Sequence, residues 1–196
     1  MVAGLTTLAM TYADAHWTVL VAHPDTSRHT VSGIAVEVRL ASATTLVCNY
    51  SLHGDVGRVR MSGAGVGHRA QGLWQHTCFE AFIAAPGIAG YYEFNFSPAL
   101  DWAAYQFTHY RDGMAPANLT QAPGLHVRRS SDQLELMATV HLAGLTPLCD
   151  APALRLALAA VIEDHRGGLS YWALEHPPGE PDFHHPDGFT VELRRP

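Results

Sequence analysis

The chain has no lysine. All 12 basic residues are arginine, and they are scattered singly or in pairs. Against 18 acidic residues they leave a formal charge of −6, with the 13 histidines counted as neutral. Phosphate-backbone binding needs clustered Lys and Arg, so nucleic acid is not an expected partner. Charged residues of both signs make up only 15%. A surface so poor in charge tends to associate, which predicts a homodimer.

Cysteine is also scarce. Cys48, Cys78 and Cys149 are odd in number, far apart, and form no CxxC. A disulfide framework and a Cys-based zinc site are therefore both unexpected, and the three read as small buried hydrophobes. No apolar run is long enough to cross a bilayer. Met1 to Met10 has no Lys or Arg n-region, and Thr6 and Thr7 break its apolar run. These absences predict a cytoplasmic protein without membrane contact. G-x-S-x-G, G-x-G-x-x-G before a helix and the P-loop are missing too. Gly63-Ala64-Gly65-Val66-Gly67 is glycine-rich, but no Lys and no helix follow it.

What the chain does have is 47% hydrophobic residues in 196, enough for one domain over 1–196 with a sizeable core. The apolar segments are short, alternating and bounded by turn residues. In Thr30–Leu40, Ile34, Val36, Val38 and Leu40 point one way, Glu37 and Arg39 the other. This is the period-two pattern of a half-buried strand. Trp17–Ala22, Thr44–Leu52, Thr77–Ala84, Tyr91–Ser97, Trp102–Tyr110, Leu125–Arg129, Leu134–Leu142, Leu154–Glu163, Leu169–Leu174 and Phe189–Leu193 read the same way. Gly54–Gly72 reads as a long loop. About ten strands at this spacing predict an all-β antiparallel sandwich. Ala103–Tyr110 and Leu154–Asp164 admit a helix by propensity. Alternating Leu154, Leu156 and Leu158 favour a strand in the second.

Strand parity locates a polar cluster. Ala85-Pro86-Gly87-Ile88-Ala89-Gly90 is of hairpin size, so Thr77–Ala84 pairs with Tyr91–Ser97. Phe79 and Ile83 then join Tyr92, Phe94 and Phe96 in the core. Glu80, Glu93 and Asn95 fall together on the opposite face. Trp74 and His76 lie just before these strands, Trp102 and Tyr105 just after. Aromatic faces beside carboxylates and an amide suit sugars: rings stack on C–H faces and polar groups take hydroxyls. The ordinary alternative is a solvated outer face.

Near the C-terminus, Pro181-Asp182-Phe183-His184-His185-Pro186-Asp187 invites a metal reading. The spacing argues against it, since adjacent side chains on an extended segment point apart, and no metal is expected. A Pro-ordered loop across one end of the sandwich, fixed by hydrogen bonds of Asp182 and His184, is the expectation. Arg111 is a candidate anion or hydroxyl ligand, with a salt bridge to a nearby carboxylate favoured. Glu163-Asp164-His165-Arg166 reads as a polar turn.

Leu73-Trp74-Gln75-His76-Thr77-Cys78-Phe79-Glu80-Ala81-Phe82-Ile83, Tyr91-Tyr92-Glu93-Phe94-Asn95-Phe96-Ser97-Pro98 and Trp102-Ala103-Ala104-Tyr105 resemble bacterial DOMON-like proteins of the carbohydrate-binding module family 9 type. Ser170-Tyr171-Trp172-Ala173-Leu174 and Pro181–His185 resemble the same group. The resemblance covers Gln71 to the C-terminus well and the first seventy residues loosely. It implies a sandwich of jelly-roll type that binds a small ligand, with sugars and haem as the ligand classes.

The candidate ligand-binding residues are Trp74, His76, Glu80, Glu93, Asn95, Trp102, Arg111, Trp172 and His184. The sequence reading is a non-catalytic domain binding a carbohydrate-like small molecule on one sheet face. The cofactor is left unknown. Two alternatives stay open. One is a haem-binding module, for which Met61, Met114 or Met137 could pair with a His. The other is an enzyme using Glu80, Glu93 and a His as acid–base groups.

Overall fold

The computed structural model describes residues 15–26, 30–61, 65 and 67–195. Met1 to Met10 and Gly63, Ala64 and Val66 of the glycine-rich run lie outside them.

The strands are β1 (His16–Ala22), β2 (Val31–Ser42), β3 (Thr45–Gly54), β4 (Cys78–Ala84), β5 (Tyr91–Phe96) and β6 (Trp102–Phe107). There follow β7 (Ala115–Pro116), β8 (Gly124–Arg129), β9 (Gln133–His141), β10 (Ala153–Glu163), β11 (Leu169–Ala173) and β12 (Val191–Arg194). These strands pair antiparallel throughout. The all-β sandwich expected from the sequence is what forms, with twelve strands among the described residues rather than about ten. The two-residue β7 is too short to show a period. Neither helical alternative occurs: the segments are β6 and β10.

One sheet has the order β8-β9-β3-β2-β1, the other β7-β6-β5-β4-β10-β11, with β12 also on β10. β1 belongs to both. His16 to Leu20 pair with β2, then Val21 and Ala22 pair with β11. The sheets enclose one core, in which Val36, Val38, Leu46 and Leu136 meet Phe79, Ile83, Phe94 and Leu156. Tyr50 ties the sheets together. Its ring lies 5.1 Å from that of Phe79, and its hydroxyl donates to the Glu80 carbonyl at 2.8 Å.

The second sheet is buried on both faces, and this places the site. Every residue of β5 is buried. In β10, Leu154, Leu156, Leu158, Ala160 and Ile162 face the inter-sheet core, while Ala157 and Ala159 join a second apolar cluster outside it. Phe82, Tyr91, Tyr105, Phe107 and Phe189 complete that outer cluster. Two-sided burial explains the Ala- and Leu-rich composition, and tertiary packing overrides the helical propensity.

The β4–β5 hairpin forms in the register that parity requires: Glu80 faces Asn95 and Phe82 faces Glu93. β6 stops at Phe107, three residues before the predicted end. The chain turns there, with the Thr108 N–H donating to the Asp112 carbonyl. Gly113 permits the turn: its φ is 68°, and a Cβ there would collide with the Thr108 side chain.

Candidate functional site

Odd and even residues of each strand go to opposite faces, so the outer face of the second sheet can be read off register. β4 contributes Cys78, Glu80 and Phe82. β5 contributes Tyr91, Glu93 and Asn95, and β6 Ala103, Tyr105 and Phe107. β10 and β11 add Ala159, Val161, Tyr171 and Ala173. Two alanines keep the floor low beside the polar cluster. Ala159 is the cross-strand neighbour of Glu80, and Ala103 that of Asn95.

Walls rise from the loops. Trp74 stands on a 3-10 turn, Leu73–Gln75, and packs edge-on against Tyr105 at 5.8 Å. The segment Pro181–His184 arches over the sheet, with the Phe183 ring 6.3 Å from that of Tyr171. It lies across this face rather than across one end of the sandwich as expected. The result is a pocket of about 330 Å³. Glu80, Glu93 and Val161 line its floor, and Trp74, Tyr171 and Phe183 line its apolar sides. Phe107, Arg111, Met114, Pro181 and His184 close the rest.

Glu80 is 2% exposed, and its Oε1 is buried without a hydrogen-bond partner among the described residues. Burial first, and the nearby Glu93 second, push its pKa well above the usual carboxyl range. Glu93 is 4% exposed and accepts from the Asn95 amide at 2.6 Å. Burial raises its pKa to about 6, against the opposing pull of Asn95 and Arg111. Asn95 also accepts a long 3.6 Å contact from the Cys78 thiol. The structure therefore brings Glu80, Glu93 and Asn95 together on one face, with Glu80 and Glu93 lining a pocket and Asn95 fully buried beside them.

His184 sits beside them. Its Nδ1 is 2.8 Å from the Tyr91 hydroxyl and its Nε2 is 3.8 Å from Glu93 Oε2. Burial, then the Arg111 charge, lower its pKa to about 4. The neighbouring His185 points elsewhere, accepting from the Asp187 N–H at 3.3 Å. Among the described residues no group of three or more His, Cys, Asp or Glu is placed to hold a metal ion. Arg111 makes the expected salt bridge, with Nη2 and Nε 2.7 and 3.1 Å from Asp182 Oδ1. Asp182 also accepts from the Tyr110 hydroxyl and the His184 N–H. Partial burial opposes its ionisation, but these donors prevail and hold its pKa below the ordinary value.

Three candidates lie elsewhere. Trp102 is 8% exposed in the inter-sheet core, with the Arg69 guanidinium 5.2 Å from its ring. It pairs with Phe96, so it takes the core parity and Tyr105 takes the pocket side. Trp172 is 3% exposed in the same core and donates to Ser170 Oγ at 3.0 Å. Its chain neighbour Tyr171 faces the pocket instead. Both tryptophans are corrected from ligand face to core by a one-residue parity difference. His76 lies past the pocket floor, its Nδ1 2.8 Å from Glu163 Oε2, and Arg60 holds the other oxygen at 3.0 Å. The lining residues the sequence reading left out are Phe107, Met114, Val161, Tyr171, Pro181 and Phe183. Strand parity, carried through β6, β10 and β11, contains the signal for Phe107, Val161 and Tyr171. The loop residues carry no such signal.

No protein-family profile matches the sequence, and no curated protein matches it. Solved structures do match in fold. One is a Bacteroides uniformis protein provisionally described as carbohydrate-binding, with 12% identity, TM-score 0.67, and coverage of 93% of this chain and 87% of that one. Another is a carbohydrate-binding module of family 9 from Caldicellulosiruptor kristjanssonii in complex with cellotriose. It is 10% identical, with TM-score 0.58, over 94% of this chain and 84% of that one. A family 9 module from the same organism with glucose bound gives 10% identity and TM-score 0.54, over 94% and 86%. At such identities the likeness is one of fold.

Proposed function

We propose that the protein is a non-catalytic binding domain for a small carbohydrate-like ligand, of the DOMON-like, family 9 module type, and that the ligand sits in the pocket over β4 and β5. The observation that carries this reading is the Glu80 carboxyl. It is buried on the pocket floor with an oxygen that none of the described residues satisfies, beneath the aromatic walls of Trp74, Tyr171 and Phe183. A buried polar atom without a partner is costly, and a ligand hydroxyl would satisfy it. Glu93, which also lines the pocket, offers further acceptors, and the rings offer faces for C–H stacking. The volume, about 330 Å³, is at the small end for ligand pockets and suits one sugar ring. The cellotriose and glucose bound by fold neighbours support the same ligand class.

The test is isothermal titration with a panel of mono- and oligosaccharides, including glucose and cellotriose. Saturable binding that Trp74→Ala and Glu80→Ala abolish is expected. No binding by any sugar at millimolar concentration would overturn the reading. Two carboxyls of different environment around one pocket also suit acid–base chemistry. Turnover of aryl glycosides that Glu80→Gln removes would favour that second reading.

A further inference from the structure

The acids and bases around the pocket do not balance. Arg111 lines it, but the guanidinium is already committed to Asp182 through two contacts. His184 is the other basic side chain lining it. It is held as a neutral imidazole by burial and by the Arg111 charge, and its 3.8 Å separation from Glu93 is too long for a hydrogen bond. Cys78, Tyr91 and Tyr105 lie on the same face of the sheet, and burial raises the pKa of each, so all three stay uncharged. The remaining groups are two carboxyls. Glu93 has one amide donor from Asn95, and Glu80 has an oxygen with none.

A buried carboxylate without a paired cation is strongly unfavourable, and among the described residues the guanidinium that lines the pocket, Arg111, is held by Asp182. A ligand hydroxyl could make the missing hydrogen bond to Glu80, whose raised pKa favours the neutral acid, but would not offset the charge of an ionised Glu93. An ammonium supplies three donors and the charge together. A ligand carboxylate would be repelled by the Glu93 carboxylate.

We infer that the pocket selects a ligand bearing a protonated amine, of the amino-sugar class, seated between Glu80 and Glu93, over its neutral or acidic counterparts. This rests on the sugar-like reading above and narrows it. It has a consequence that a neutral sugar would not share. An ammonium beside Glu80 favours the ionised carboxylate, so the carboxyl O–H bond breaks and its proton passes to solvent as the amine binds.

Glucosamine, glucose, glucuronate and cyclohexylamine, titrated calorimetrically at neutral pH in two buffers of different ionisation enthalpy, test this. Glucosamine is expected to bind at least about tenfold tighter than glucose, with a buffer-dependent heat that reports proton release, and glucuronate not at all. Glu80→Gln should abolish the proton release, and Glu93→Gln should erase most of the preference. Should either variant fail to fold, the wild-type ligand series decides the matter alone. Glucose binding as tightly as glucosamine would overturn the amine preference and leave the sugar reading standing. Cyclohexylamine binding while no sugar binds would support the amine preference and overturn the sugar reading. No binding of any of the four would overturn both.

Discussion

Asn95 stands directly opposite Glu80 across β4 and β5, yet it donates its side-chain amide to Glu93, two residues back on its own strand, at 2.6 Å. That bond separates the chemistry of the two carboxyls. Glu93 gains a donor that opposes the effect of burial. Glu80 keeps an unsatisfied oxygen under a roof of aromatic rings.

Stability should therefore depend on Glu80 in a definite direction. Its folded-state pKa is raised above 4.5, so the native state binds a proton the unfolded chain has released. Stability from this group is full below about pH 4.5 and is lost as pH rises toward the folded pKa. Glu80→Gln removes the penalty. Its melting temperature should match wild type near pH 4.5 and exceed it increasingly at neutral and alkaline pH, as followed by circular dichroism. A constant offset at all pH values would contradict this account.

His184 should act with the opposite slope. Its pKa falls from 6.5 to about 4 on folding, so the unfolded chain binds the extra proton. The stability linked to a neutral His184 is present above pH 6.5 and is lost as pH falls toward 4. Replacing it by Gln should flatten the difference between melting temperatures at pH 7 and pH 4.5, relative to wild type.

Arg111 and Asp182 should couple. The pair is partly exposed on the Arg side and mostly buried on the Asp side, and it anchors the segment that carries Phe183 and His184. Asp182→Asn is expected to cost about 1–2 kcal/mol, because a charged acceptor with several donors is lost. A double-mutant cycle with Arg111→Met should return a coupling of about 0.5–1 kcal/mol in urea unfolding.

Two tryptophans should separate structure from binding. Trp102 is 8% exposed in the core, so Trp102→Ala is expected to cost about 3–5 kcal/mol. Trp74 is 38% exposed, with one edge-on contact to Tyr105, so Trp74→Ala should cost about 1 kcal/mol in urea unfolding while weakening ligand binding. Equal losses of stability would mean that Trp74 is a structural residue.

The β4–β5 hairpin and its faces were legible because a period of two leaves only one way to bury Phe79, Ile83, Phe94 and Phe96. That packing sends Glu80, Glu93 and Asn95 to the same side. The same rule, applied without the register of β5 with β6, did not separate Trp102 from Tyr105. A strand's period says which residues share a face, and only its neighbour's register says which face is the core. For that reason the sequence pattern alone does not separate Trp102 and Trp172, which face the core, from Tyr105 and Tyr171, which face outward.

The architecture follows from the pattern of residues along the chain. Alternating short apolar segments bounded by Gly, Pro and Asp have no other way to bury their faces than a stack of antiparallel strands, and composition removed the basic patch and the disulfide scaffold. Tertiary structure decided the rest. Residues 74, 111 and 184 come to one pocket only because β6, β10 and β11 lie beside the hairpin and the Pro181–His184 segment folds back over it. Burial then turned two acids, which in the sequence could equally have been a solvated surface, into a carboxyl pair with raised pKa. Desolvation depends on everything within several ångströms, and no local pattern in the chain encodes that.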